Sequence, residues 1–333
     1  MNKSPKTING LMKHLRNQNK VNIKGSKQKS QLTTQGYYHG YKGYRFYKTA
    51  NKRLPINDYE EINQTIIYDS ELKNLLFDKI MFIETALKNI ALDVIINELH
   101  SDNIDILYTK GVTSYKNAPA YFNNKQKNEA QKDLLSLQAN IQKHIFEAYS
   151  KKDPKIIHFF NHKKHKYLPL WAIFEVLTMG NFGYLIKSLT FDLRDKISNR
   201  IGIDINIDSN RTILYSFIFT LKDLRNSIAH NGVIYDCRFN RVNHSNSMKK
   251  FLCLKTNLNK INFEQFIDYI ALISYFLKAL KVNNLEIKLF IMSYKEFTNV
   301  YLGKVRKTIT NLTIAKGWDI ALRKMEAKIM LQK

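Results

Sequence analysis

At 333 residues, 44% apolar and with only 12 Gly and 5 Pro, the chain can bury a full core as one large or two smaller domains, and disorder is excluded. Its two cysteines, Cys237 and Cys253, exclude a disulfide framework and lack metal-ligand spacing, which suits a reducing cytoplasm. A net charge of +25 points to a polyanionic partner.

The charge is concentrated at the N-terminus. Residues 1–57 hold thirteen Lys or Arg and no acid, the first being Asp58, an asymmetry that reads as the footprint of a polyanion, with a solvated basic tail or an anionic membrane surface as the alternatives. No apolar centre of a secretory signal accompanies it. A short helix is expected over Ile8–Arg16 and a polar, mobile stretch over Asn17–Ser30. On these segments Lys13, Arg16, Lys20, Lys24, Lys27 and Lys29 are candidate RNA contacts. Residues 35–48 then interleave aromatics with glycines and bases. Tyr37, Tyr38, Tyr41 and Tyr44 are candidates to stack on exposed bases, while Lys42, Arg45 and Lys48 would follow the backbone. The competing reading is an aromatic cluster that packs the N-terminal segment onto the main body.

From Ile62 to Glu98 apolar residues recur at three and four, among them Ile83, Leu87, Ile90 and Val94, which predicts a long helix. Residues 99–125 are polar and turn-rich. A helix is expected over Asn128–Tyr149, a basic connector over Lys151–Lys166, and two helices over Leu168–Leu189 with a turn near Gly180. Pro169 fits a first helical turn, where its missing N–H does no harm. In the connector, His158, His162 and His165 have helical spacing, but Lys163, Lys164 and Lys166 surround them. That favours phosphate over a divalent metal, and Lys163 and Lys164 join the candidate RNA contacts.

Thr212–His230 reads as an apolar helix with Asp208, Ser209 or Asn210 as its N-cap and Asn231-Gly232 as its stop. Near its end it carries Arg225 and Asn226, with His230 in the last turn. Metal-free RNA cleavage needs a base for the ribose 2′-OH and a cation on the scissile phosphate, and these residue types supply both. Asn226 and His230 share a face, whereas Arg225 and His230 stand roughly 140° apart around the axis. Two helices meeting across a dimer, or a loosened last turn, would bring Arg and His to one phosphate. The bland alternative is a surface arginine and a capping histidine. Beyond the motif, Tyr235–Leu258 is expected to be a loop or short hairpin, Phe263–Lys281 and Ile287–Phe297 helical, and 303–333 a basic helix. The chain therefore reads as all-α.

GYYHGYKGYRF at 36–46, FIETALKN at 82–89, LPLWAIFEVLTMGNFGYL at 168–185 and LRNSIAHNG at 224–232 resemble, in this order, the Abi-like (AbiD/AbiF-type) family of bacterial abortive-infection proteins. That family belongs to the HEPN superfamily, compact helical domains that often carry an arginine and a histidine with four to six residues between them. The resemblance implies a metal-independent, cofactor-free endoribonuclease used as a toxin against phage-infected cells. For some members it also implies a small non-coding RNA that binds and restrains the protein. Carried over, Arg225, Asn226 and His230 form the catalytic set, with a homodimer completing the site if it is composite. Trp171 and Glu175 match positions expected to organise the helical core. The expected organisation is a basic, aromatic-rich RNA-binding segment at 1–57, a HEPN-like helical domain at 58–300 and a basic C-terminal helix at 301–333.

Two further readings stand beside the toxin. One is a non-catalytic RNA-binding protein that forms a stable ribonucleoprotein. The other, a DNA-binding regulator, is weakened by the lack of a helix-turn-helix pattern.

Overall fold

The computed structural model describes residues 5–161, 166–240 and 243–332. His162, Lys163, Lys164 and His165 lie outside them. The fold is all-α, with one two-stranded hairpin near the N-terminus.

Helix α1 (Ile8–Asn19) is capped by the Thr7 hydroxyl, which accepts from the Gly10 N–H at 3.3 Å. The expected mobile stretch over Asn17–Ser30 is corrected by the structure, because α2 (Gly25–Gln35) starts inside it. Its one buried apolar residue is Leu32, too little for a periodic signal, and the Gln35 side chain donates to Asn63 at 2.7 Å. A π-helical turn (Gly36–Lys42) leads into strands β1 (Phe46–Tyr47) and β2 (Thr49–Arg53). Helix α3 (Tyr59–Leu99) follows, with Asp58 accepting from the Glu60 N–H and Glu61 from the Asp58 N–H. Its buried stripe runs Leu72, Leu76, Ile80, Ile83, Leu87 and Ala91, the three-and-four spacing seen in the sequence.

The chain forms two compact units, Met1–Ile80 with Asp223–Arg241 and Leu252–Lys333, and Met81–Lys222 with Val242–Phe251. The second unit contains the short α4 (Ile104–Ile106), then α5 (Asn124–Ser150), whose capping box pairs Asn123 with Gln126. Helices α6 (Pro154–Asn161), α7 (Leu170–Val176), α8 (Met179–Ser188) and α9 (Phe191–Arg200) follow. Half of the expected basic connector is thus the helix α6. The break between α7 and α8 falls at Leu177–Thr178 rather than near Gly180, because the Thr178 hydroxyl accepts from the Asn181 N–H and caps α8. Pro169 is the extended N-cap of α7, not a residue of its first turn. Gly183 allows close packing on helix α10 (Ile213–Ala229), since a Cβ there would lie 2.8 Å from the Phe219 ring.

Of the loop or hairpin expected over Tyr235–Leu258, the described residues up to Ser245 are turns and coil, and helix α11 (Asn246–Thr256) takes the place of the rest. In the first unit, α12 (Phe266–Ala279) is buried on every side from Phe266 to Leu277, as a central core helix must be. It packs against α13 (Asn284–Lys304) and α15 (Trp318–Leu331). The start of α3 joins this core through Tyr68, which stacks on Tyr301 at 4.5 Å between ring centres. The tail read as one basic helix is two, α14 (Lys307–Thr313) and α15, separated at Gly317 with φ 74°. Its apolar face, Trp318, Leu322, Met325 and Ile329, is buried.

Candidate active site

Helix α10 begins as its sequence requires. Of the three candidate caps Asp208 acts, its carboxylate accepting from the Thr212 N–H at 2.8 Å and the Ile213 N–H at 3.0 Å. The buried face is Ile213, Leu214, Phe217, Ile218, Leu221 and Leu224, which leaves Arg225 and Asn226 at its half-buried margin. Arg225 Nη1 donates to Asn226 Oδ1 at 3.4 Å, so the structure brings these two together although they are neighbours in sequence.

The helix ends in a Schellman motif. The Gly232 N–H donates to the Ser227 carbonyl at 2.7 Å and the Asn231 N–H to the Ile228 carbonyl at 3.0 Å, with Asn231 left-handed at φ 52°. The His230 N–H still reaches the Asn226 carbonyl, at 3.0 Å, and its side chain is exposed. The imidazole therefore leaves the helix at its last hydrogen-bonded position, open to a ligand.

What holds this end in place lies elsewhere in the sequence. Asp69, on the buried stripe of α3 and with no exposed surface, accepts four donors. They are the Ile234 N–H at 2.8 Å, the Tyr235 N–H at 2.7 Å, the Tyr44 hydroxyl at 2.7 Å and the Lys73 ammonium at 2.8 Å. Lys73 Nζ also donates to Asn231 Oδ1 at 2.9 Å, and Asn231 Nδ2 lies 3.2 Å from His39 Nε2. One buried carboxylate thus fixes the chain just past the motif and, through Lys73, the residue that follows His230. Burial, with the Asp69 charge beside it, holds the Tyr44 hydroxyl well above its ordinary range, so it stays a donor.

The N-terminal segment is fastened by the same contacts. Tyr44 stacks on Tyr235 at 6.0 Å between centres. Arg238 donates to the carbonyls of Gly43 at 2.7 Å and Phe46 at 2.6 Å, and the Lys48 N–H donates to Asp236 at 2.6 Å. Tyr41 and Tyr44 are buried, so they pack the segment and cannot stack on a base in this conformation, a correction to that reading for both. Tyr38 is 75% exposed with Lys42 Nζ 4.3 Å from its ring centre, and Tyr37 is half-buried. Arg45 lies over Phe46 and donates to Asn19. Arg16 donates to the Ile23 carbonyl at 2.7 Å. Lys13, Arg16, Lys20, Lys24, Lys27 and Lys29 are all exposed along α1, α2 and their junction.

Sequence reading missed Asp69, Lys73 and His39. Asp69 and Lys73 stand four residues apart on α3, but Glu84 and Lys88 repeat that spacing on the same helix, so it did not single them out. Trp171 and Glu175 do not organise the core. Trp171 is 48% exposed with its ring edge-on to Phe159, and Glu175 pairs with Lys155, so both fasten α6 to α7. Among the described residues, no three His, Cys, Asp or Glu side chains are grouped to hold a metal ion, and no helix is long and apolar enough to cross a membrane.

The sequence profile of the Abi-like protein family matches residues 30–236. The chain belongs to this family. The Abi-like region runs from within α2 to Asp236, so it takes in the π-helical turn, Asp69 and Lys73, the motif and its cap. Membership points to abortive-infection defence against phage. No curated protein and no solved structure matches the chain.

Proposed function

We propose that this Abi-like protein is a metal-independent HEPN endoribonuclease, acting as the toxin of an abortive-infection system and restrained by a structured small non-coding RNA. The observation that carries the reading is the capped end of α10, where Arg225 contacts Asn226 and the His230 side chain stands exposed beside a rigidly held Asn231. Arg225 would hold the scissile phosphate, Asn226 would orient the reacting groups, and His230 would move protons at the 2′-OH and the leaving 5′ oxygen. The products are a 2′,3′-cyclic phosphate and a 5′-OH.

His230→Ala should lower cleavage of cellular RNA by about 10²–10⁴-fold, the usual share of general acid–base catalysis. Cleavage that survives this substitution refutes the mechanism. Wild type and His230→Ala should be expressed with their native flanking DNA and the co-eluting RNA sequenced. One discrete RNA on both proteins, together with growth arrest when that RNA is deleted, supports an antitoxin RNA.

A second reading, a ribonucleoprotein without catalysis, is favoured by the exposed row of bases on α1 and α2, which is remote in sequence from the motif. It predicts one tightly bound RNA, unchanged by substitution of Arg225, and no cleavage by wild type.

A further inference from the structure

In-line transfer at phosphorus puts the attacking 2′ oxygen and the leaving 5′ oxygen on opposite sides of the phosphorus atom. One imidazole reaches both with difficulty, and a second beside it removes the problem. The structure holds a second exposed histidine at this end of α10. His39 is exposed on the π-helical turn, and its Nε2 lies 3.2 Å from the side-chain amide of Asn231, the residue that follows His230. The attachment points of the two histidines at this end of α10 are thus separated by one hydrogen bond and one residue.

The network also decides which way His39 is protonated. Lys73 has only donors, so the Asn231 atom facing it at 2.9 Å is the amide oxygen. The amide nitrogen therefore faces His39 and donates, and His39 Nε2 must accept. Asp69 fixes Lys73 from the buried side. The chain Asp69, Lys73, Asn231, His39 holds an imidazole whose Nε2 carries no proton and turns its lone pair to the Asn231 amide. That is the state required of a base.

We propose, resting on the ribonuclease reading above and dividing the two proton transfers given there to His230, that His39 is a second catalytic histidine and the general base of the site. The ribose 2′-OH displaces the Asn231 amide at His39 Nε2 and gives its proton there. The 2′ oxygen bonds to phosphorus, the bond from phosphorus to the 5′ oxygen breaks, and the 5′ oxygen takes a proton from the His230 imidazolium. The step leaves a 2′,3′-cyclic phosphate, a 5′-OH, a protonated His39 and a neutral His230. Exchange of one proton each with water restores the pair.

The test separates the two roles with a leaving group that needs no acid. Full-length wild type, His39→Gln and His230→Ala are assayed on an RNA of mapped cleavage site and on the same RNA with sulfur in place of the scissile 5′ oxygen. Gln at 39 keeps an oxygen to accept from Asn231, so the support survives while the proton transfer is lost, and thermal melting checks that the fold is intact. The proposal expects His39→Gln to lose about 10²–10⁴-fold on both substrates, and His230→Ala to lose as much on the oxygen substrate but recover most of it on the sulfur substrate. His39→Gln at wild-type rate overturns the assignment and leaves His39 as a mere partner of Asn231. Recovery of His39→Gln rather than His230→Ala on the sulfur substrate overturns it in the other direction. A wild type that cleaves neither substrate removes the ribonuclease reading itself, and the base goes with it.

Discussion

Asp69 shows how much of a site can depend on a residue that would never touch substrate. A buried carboxylate is tolerable only when donors surround it, and here two backbone N–H groups, a hydroxyl and an ammonium do so. Asp69→Ala leaves Lys73 charged and without its carboxylate partner, and strips two backbone groups of their acceptor. The expected loss is about 3–5 kcal/mol in a urea or guanidinium titration, the range for breaking a buried pair. A loss under about 1 kcal/mol would mean that solvent reaches the network. The motif triplet was legible from its residue types and its position before a helix stop. Asp69 and His39 were not, because their partners at 234–235 and 231 lie far along the chain and leave no local periodicity.

At the scale of elements, periodicity predicts α3, α5, α10, α12 and α13, since each buries a stripe long enough to repeat. It fails at α2 and α11. Helix α2 buries one apolar residue and is held by hydrogen bonds to Asn63 and Asp58, while α11 is short and its cap comes from Ser245, whose hydroxyl accepts from the Met248 N–H. Helix α12 carries an acid in its first turn that sequence alone would treat as a routine cap. Asp268 accepts from the Asn262 and Phe263 N–H groups at 3.1 and 2.8 Å, yet burial outweighs them and pushes its carboxyl up to about 6. A carboxyl raised in the folded state binds more protons there than in the unfolded chain. Its contribution is therefore full below about pH 4 and lost as pH rises through about 6. Relative to Asp268→Asn, wild type should lose stability on the order of 2–3 kcal/mol across that window. Parallel pH profiles for the two proteins would refute the assignment.

For the molecule as a whole, charge is the property that reaches furthest. The bases of α1 and α2 are exposed, and the Arg16 side chain also serves the local fold by donating to the Ile23 carbonyl, whereas Lys20 and Lys24 serve it through their backbone. Lys13, Lys24, Lys27 and Lys29 can thus be exchanged for Gln with little effect on melting. If they track an RNA backbone, the fourfold variant binds RNA more weakly, and the slope of log K against log salt falls by about 0.7 for each contact removed from a single strand. An unchanged slope would move the RNA surface off these helices. The acid-free N-terminus made this surface visible in the sequence, whereas the burial of Tyr41 and Tyr44 beside it depended on contacts no composition reports.

The separation between Asp69 and its backbone donors, 165 residues for Ile234, bears on how the protein is made. At ordinary rates of synthesis that interval takes roughly ten to thirty seconds. During that time Tyr44, Asp69 and Lys73 are already on the growing chain while Asn231 and the motif do not yet exist. Closing so long a loop is a late event in folding. A nascent or prematurely ended chain therefore carries the basic N-terminus without the capped end of α10. For a protein whose proposed activity would injure the cell that synthesises it, the order of translation is itself a safeguard.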